Sequence, residues 1–276
     1  MPPGAGPFPA VLVIAGSGPT DRDGNQPGVK NDSLKLLGRA LAARGIAALR
    51  YDKRNAGQSA TASLREEDLR FEDFVSDAAE WIALLRRDRR VRGLSLIGHS
   101  EGSLIGMLAV KQAKADAFVS LEGPGRNAAA ALHEQLDRAL APDLRAASDR
   151  ILGELSAGRT VKEVPARLLF IFRPSLQPYL ISWFKYDPAS EIAGLRIPVL
   201  IVQGTTDIQV PVEDAKRLAS AAKDARLHLI DGMNHVLKRA ATLAEQQASY
   251  VDSTIPIDPR SVETIAEFLA RELRPR

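Results

Sequence analysis

Apolar runs of five or six residues recur along the chain, at residues 10–15, 46–51, 93–97, 117–121, 198–202 and 226–230. Their length and aliphatic content are those of strands. Stretches of helical period stand between them. Residues 33–44 place Leu34, Leu37 and Leu41 at helical spacing and stop at Gly45. Residues 71–87 put Phe74, Ala78, Trp81, Ile82 and Leu85 on one face, and further helices are predicted over 100–114, 212–223 and 259–273. Apolar strands alternating with helices indicate a parallel sheet covered on both faces. The expected fold class is α/β, a mostly parallel sheet of about six strands.

The alternation stops between the fourth and fifth strands. Residues 123–190 are rich in Ala, Leu and Arg and read as short helices, clearest at 128–140, then 146–155 and around 166–172. In a regular βα array, an insertion of this length is more often a lid or substrate-binding module than a separate domain. The expected organisation is a core of residues 1–122 and 191–276 with a helical lid at 123–190.

Composition narrows the chemistry. The 276 residues include no Cys, which excludes disulfides, thiolate catalysis and cysteine metal sites. The 37 basic and 34 acidic residues are interspersed, and the main basic cluster, Arg86 to Arg90, ends a predicted helix, where cations complement the dipole. With aromatics at 5%, base stacking and a nucleic-acid partner are not expected. No apolar run approaches the roughly 20 residues of a membrane span. The start, Met1-Pro2-Pro3-Gly4, lacks a basic leader region, so the chain reads as soluble and cytoplasmic.

One stretch organises the rest. The third apolar run ends in Gly98-His99-Ser100-Glu101-Gly102, followed by a helix-competent segment. This is G-x-S-x-G in its strand–turn–helix context, which holds a serine hydroxyl out of the sheet beside a base and backbone N–H groups. The five residues alone arise by chance in a chain this long roughly one time in ten, and Ser100 could simply cap a helix. Partners downstream decide the matter. His235 follows the last strand and Asp207 the fifth, both at the carboxyl edge where open α/β sheets bind ligands. Ser100, Asp207 and His235 therefore form a candidate triad in the order this fold uses, with Glu122 as competing acid. The other histidines read differently: His99 as support beside the serine, His133 as surface, His228 as a core or edge residue. The candidate oxyanion donors are the N–H groups of Glu101 and of Ser17, in the Gly16-Ser17-Gly18 turn after the first strand.

These residues resemble the α/β-hydrolase superfamily, and within it bacterial carboxylesterases carrying a G-S-G-P-x-D-R-D-G signature, here Gly16 to Gly24. Tyr51-Asp52-Lys53-Arg54, the serine turn, Asp207-Ile208-Gln209-Val210 and Gly232-Met233-Asn234-His235 complete the likeness over residues 9–270. The resemblance implies hydrolysis of short-chain carboxylic esters without cofactor or metal. Two departures stand out. Ala15-Gly16 replaces the His-Gly common at the oxyanion loop, so bracing by Asp21, Arg22 and Asp23 against Asp52 or Arg54 is expected. The antiparallel strand pair usual before the first parallel strand has no counterpart. Tyr179, Trp183 and Phe184 concentrate aromatics in the lid, either as an acyl or alcohol pocket or as packing of lid on core. Thioesterase and small-peptide aminopeptidase use the same triad, and a ligand receptor can use the same fold.

Overall fold

The structure, a computed structural model, describes residues 1–61 and 63–274. Six strands form one sheet: β1 (Phe8–Ile14), β2 (Ala47–Arg50), β3 (Val91–His99), β4 (Ala117–Leu121), β5 (Val199–Gly204) and β6 (Arg226–Ile230). Their spatial order is β2-β1-β3-β4-β5-β6, with every pairing parallel. The winding direction reverses between β1 and β3, and the crevice for a ligand in such a sheet opens beyond the carboxyl ends at that reversal. Register pairs Ile14 with Gly98, so the loop leaving β1 and the turn leaving β3 emerge side by side.

Strand alternation sorts the core into two layers. Leu12 and Ile14 face one way, packing with Leu94 and Leu96 against Phe71, Phe74, Leu104 and Ile105 of α2 (Phe71–Arg87) and α3 (Glu101–Gln112). Val11 and Val13 face the other, against Leu34 and Leu37 of α1 (Ser33–Ala42) and against Ile265 and Leu269, near the chain's end. Each such side chain is buried and contributes about 1.5–3 kcal/mol of transfer free energy. Among the described residues no helix is long and apolar enough to cross a membrane.

Between β4 and β5 run α4 (Ala128–Ala139), α5 (Pro142–Ser156), α6 (Leu169–Phe172), α7 (Gln177–Trp183) and α8 (Pro188–Ala193). This insertion has its own apolar cluster, built on Leu136, Ile151, Leu155, Leu168, Phe172, Leu180 and Phe184. Helix α5 begins four residues before the predicted 146, because Pro142 suits the first helical turn. The two ends of the insertion meet. Asn127 Nδ2 donates to the carbonyls of Phe184 (2.6 Å) and Tyr186 (3.0 Å). Arg126 pairs with Asp214 on α9 (Val212–Ala221), tying the same corner to the core.

Two helices follow β6: α10 (Leu243–Val251) and α11 (Pro259–Glu272). Helix α10 lies outside the expected elements, though Thr242 and Glu245 form a reciprocal capping box, a signal legible in the residues.

Candidate active site

The turn after β3 holds Ser100 at φ 55°, ψ −125°, a conformation that costs a residue with a Cβ about 1–3 kcal/mol. Ser100 N–H donates to the Leu121 carbonyl at 3.0 Å, locking the turn to the end of β4. Two glycines make this geometry possible. A Cβ on Gly98 would lie 2.2 Å from the Gly102 oxygen, and one on Gly102 would lie 2.3 Å from the Ile14 oxygen. Gly16, leaving β1, approaches so closely that a Cβ there would stand 3.1 Å from Ser100 Cβ and 3.5 Å from its Oγ.

Asp207 follows β5 in a loop that closes on its carboxylate. Oδ1 accepts from the N–H groups of Gln209 (2.7 Å) and Val210 (2.9 Å), leaving Oδ2 for His235 Nδ1 at 2.7 Å. Burial alone would raise the Asp207 carboxyl. The adjoining His235 and the hydrogen bonds outweigh it and hold the group at about 2, so it stays ionised across the neutral range.

The His235 loop is set from below by a buried polar cluster. Asn234 Oδ1 accepts from the N–H groups of Val236 and Lys238, and its Nδ2 donates to Gln246 Oε1 and Ser249 Oγ on α10. Lys238, fully buried, donates from Nζ to the carbonyls of Ser249 and Asp252, capping the end of α10. His99 acts as support, as its position beside Ser100 suggests. Its Nε2 stands 2.8 Å from the His235 carbonyl, an acceptor only, which assigns the proton to Nε2. Burial, then the adjoining His235, push its pKa down to about 3, so the ring is neutral. His133 pairs with Asp149 on the insertion surface, and His228 is exposed on the edge strand.

Glu122, the competing acid, lies against this pair at φ 49° with no exposed surface. Its Oε1 accepts from Gly204 N–H (2.8 Å) and its Oε2 from Gln203 Nε2 (2.5 Å). Burial first, then the Asp207 charge, raise its pKa well above the ordinary glutamate value and so favour its protonated form beside Asp207. Donor atoms of Glu122, Asp207 and His235 fall within 4.8 Å of one another. That spacing suits a metal, yet Nδ1 of His235 already engages Asp207, and hydrogen bonds account for both Glu122 oxygens.

The raised pKa of Glu122 has a measurable signature. Between the ordinary glutamate range and its raised value, the unfolded chain has released a proton that the folded chain keeps, so stability falls as pH rises there. Glu122→Gln keeps the shape and removes the linkage. Its urea midpoint relative to wild type is expected to be higher at pH 8 than at pH 5. A difference that is flat or shrinks with pH would show that Glu122 holds no such proton.

The candidate oxyanion donors flank Ser100. Glu101 opens α3, so its N–H is among those a helix leaves without an intrahelical acceptor. The Ser17 carbonyl accepts from Thr20 Oγ1 (2.7 Å) and Gln26 Nε2 (3.1 Å), which fixes the turn. Bracing of this loop differs in part from expectation. Arg22 makes two side-chain hydrogen bonds to Asp52, holding that carboxyl at about 2. Asp23 pairs with Arg50 rather than Arg54, which turns away to Asp77 on α2. Asp21 bonds within the loop, to the N–H groups of Asp23 and Asn25.

The three aromatic candidates separate. Tyr179 Oη donates to Glu101 Oε2 at 2.7 Å, and its ring meets Phe74 edge-on at 5.6 Å. Trp183 stacks on Phe71 of α2 with ring centroids 5.9 Å apart. Phe184 lies in the insertion's own cluster. Tyr179 alone reaches a candidate site residue directly; the other two pack insertion on core and insertion on itself.

A six-stranded parallel sheet with a strained serine turn at its winding reversal, and an acid–histidine pair on the same edge, is the plan of an α/β hydrolase. The chain belongs to the alpha/beta hydrolase family, whose model matches residues 12–246. Among curated proteins it is 28% identical over 240 residues to esterase EstD of Thermotoga maritima, covering 86% of this chain and 56% of that protein. The chain thus spans about half the length of the curated relative it matches. Similar solved structures include Est1E of Butyrivibrio proteoclasticus with ferulic acid bound, at a TM-score of 0.62 and 18% identity, covering 96% of this chain and 89% of that one. Proline iminopeptidase of Mycobacterium smegmatis aligns at a TM-score of 0.59 and 14% identity, covering 96% and 90%. Both likenesses are of fold.

Proposed function

We propose that this protein is a serine carboxylesterase that cleaves esters of short to medium acyl chains through an acyl-enzyme, without a cofactor. Within the family it groups with bacterial esterases carrying the Gly16 to Gly24 signature, and residues 123–190 act as its lid. His235 takes the Ser100 proton as Oγ attacks the ester carbonyl, and the carbonyl π pair moves to oxygen. The N–H groups of Ser17 and Glu101 receive that oxyanion. Collapse expels the alcohol, which takes the proton from His235; water then repeats the sequence and frees the acid. Asp207 orients the imidazole and stabilises its cation.

The observation carrying this reading is the 2.7 Å bond between Asp207 and His235 on the edge where Ser100 is held out of the sheet. An aminopeptidase would need a free anionic group for the substrate amine. Glu101 is engaged by Lys53 and Tyr179, and burial and the Asp207 charge disfavour an anion at Glu122, which favours the neutral ester. The test is a panel of p-nitrophenyl esters from acetate to palmitate, with fluorophosphonate labelling of the protein. Turnover on the shorter chains with one label per chain, on Ser100, is the expected result. Stoichiometric labelling at another residue, or binding of esters with no turnover, would overturn it.

A further inference from the structure

Lys53 is 2% exposed, and the mechanism above makes no use of it. Lysine is almost never fully buried unless paired, and taking an ammonium and a carboxylate out of water costs several kcal/mol each. Pairing rarely returns that as stability, so the place of the pair is informative. Lys53 Nζ donates to the carbonyl oxygen of Gly16 and, at 3.0 Å, to Glu101 Oε1, while the ammonium lies over the Phe74 ring, 5.3 Å from its centroid. These partners are 37 and 48 residues away in the chain. They come from the two loops that supply the oxyanion donors.

We propose that Lys53 is a positioning residue that sets both oxyanion N–H groups at once; this rests on the esterase reading above. The Gly16 carbonyl and the Ser17 N–H belong to one peptide unit. That unit is planar and trans, so its C=O and N–H point in opposite directions. A hydrogen bond that fixes Gly16 O therefore fixes the direction of Ser17 N–H. The ammonium also polarises that unit and strengthens its N–H as a donor. On the other side, Lys53 and Tyr179 hold one carboxylate oxygen each of Glu101, anchoring the first turn of α3, where the second N–H begins. With Glu101 neutralising the charge, the contribution of Lys53 is direction more than field.

The experiment compares Lys53→Met with the double variant Lys53→Met/Glu101→Gln, which leaves no unpaired carboxylate behind. Rates on p-nitrophenyl acetate are expressed per Ser100 titrated by fluorophosphonate, so misfolded protein does not count. In both variants kcat is expected to fall about 10–100-fold, part of what losing one oxyanion donor costs, with KM within about twofold. The inhibition constant of a trifluoromethyl ketone, whose Ser100 adduct places an oxyanion in the hole, is expected to rise by the same factor that kcat/KM falls. A structural role alone would lower the melting temperature and the titratable fraction and leave both quantities unchanged. Normal kcat per titrated serine in either variant overturns the proposal. So does failure of both variants to fold, since the pair would then be a requirement of the fold. If Ser100→Ala retains wild-type turnover, it is the esterase reading that fails.

Discussion

Ser100→Ala is expected to lower kcat on p-nitrophenyl acetate by a factor on the order of 10⁵ or more, with the urea midpoint little changed. The reason is the division of labour. With the nucleophile gone, His235 has no hydroxyl to deprotonate, and the oxyanion donors have no covalent intermediate to hold; only binding and hole stabilisation of attack by water remain. Alanine keeps the Cβ that makes φ 55° strained, so the turn neither gains nor loses that term. The check is steady-state kinetics on purified variant together with an unfolding curve. A loss below about tenfold would sink Ser100 as nucleophile, because a residual rate that high needs another activated group.

Asp207→Ala is expected to lower kcat on the order of 10⁴-fold, less than loss of the serine or the histidine. Without the carboxylate, Nδ1 of His235 loses the acceptor that fixes its tautomer and stabilises its cation. Glu122 supplies a second line, standing within 4.8 Å of both groups. Removing Asp207 removes the charge that, after burial, most opposes Glu122 ionisation. Glu122 is then free to face the imidazolium itself. Asp207→Ala/Glu122→Gln is accordingly expected to lose about a further tenfold, a coupling of the size found between groups in contact. If the double variant is no slower than the single one, Glu122 does not substitute for Asp207.

The strands and their parallel direction are legible in the residues, because each strand is a bounded apolar run followed by a helix that returns the chain to the same end; their order across the sheet is not. The Asp207–His235 pair is legible for the same reason: two polar residues, each just past a strand, must emerge on one edge. Lys53 is not legible. It stands in a signature stretch as one charged residue among several, and only the fold brings Gly16 and Glu101 to its ammonium. Tyr179 reads as a lid aromatic, and nothing local ties its hydroxyl to Glu101. Arg22 meets Asp52 as its charge suggests, but the pairing of Asp23 with Arg50 and of Arg54 with Asp77 is not legible, since sequence supplies the charges while backbone direction selects partners. Helix α7 is hidden by Pro178, which reads as a breaker but occupies the first turn, where proline is at home.

The bonds from Asn127 to the Phe184 and Tyr186 carbonyls bring departure and return of the chain to one doorway. An excursion that begins and ends at one point transmits nothing of its length to the strands on either side, and enlarging such a loop costs only logarithmically. The segment beyond that doorway can thus change in length without displacing the strands, provided that Tyr179 still reaches the Glu101 carboxylate at the start of α3.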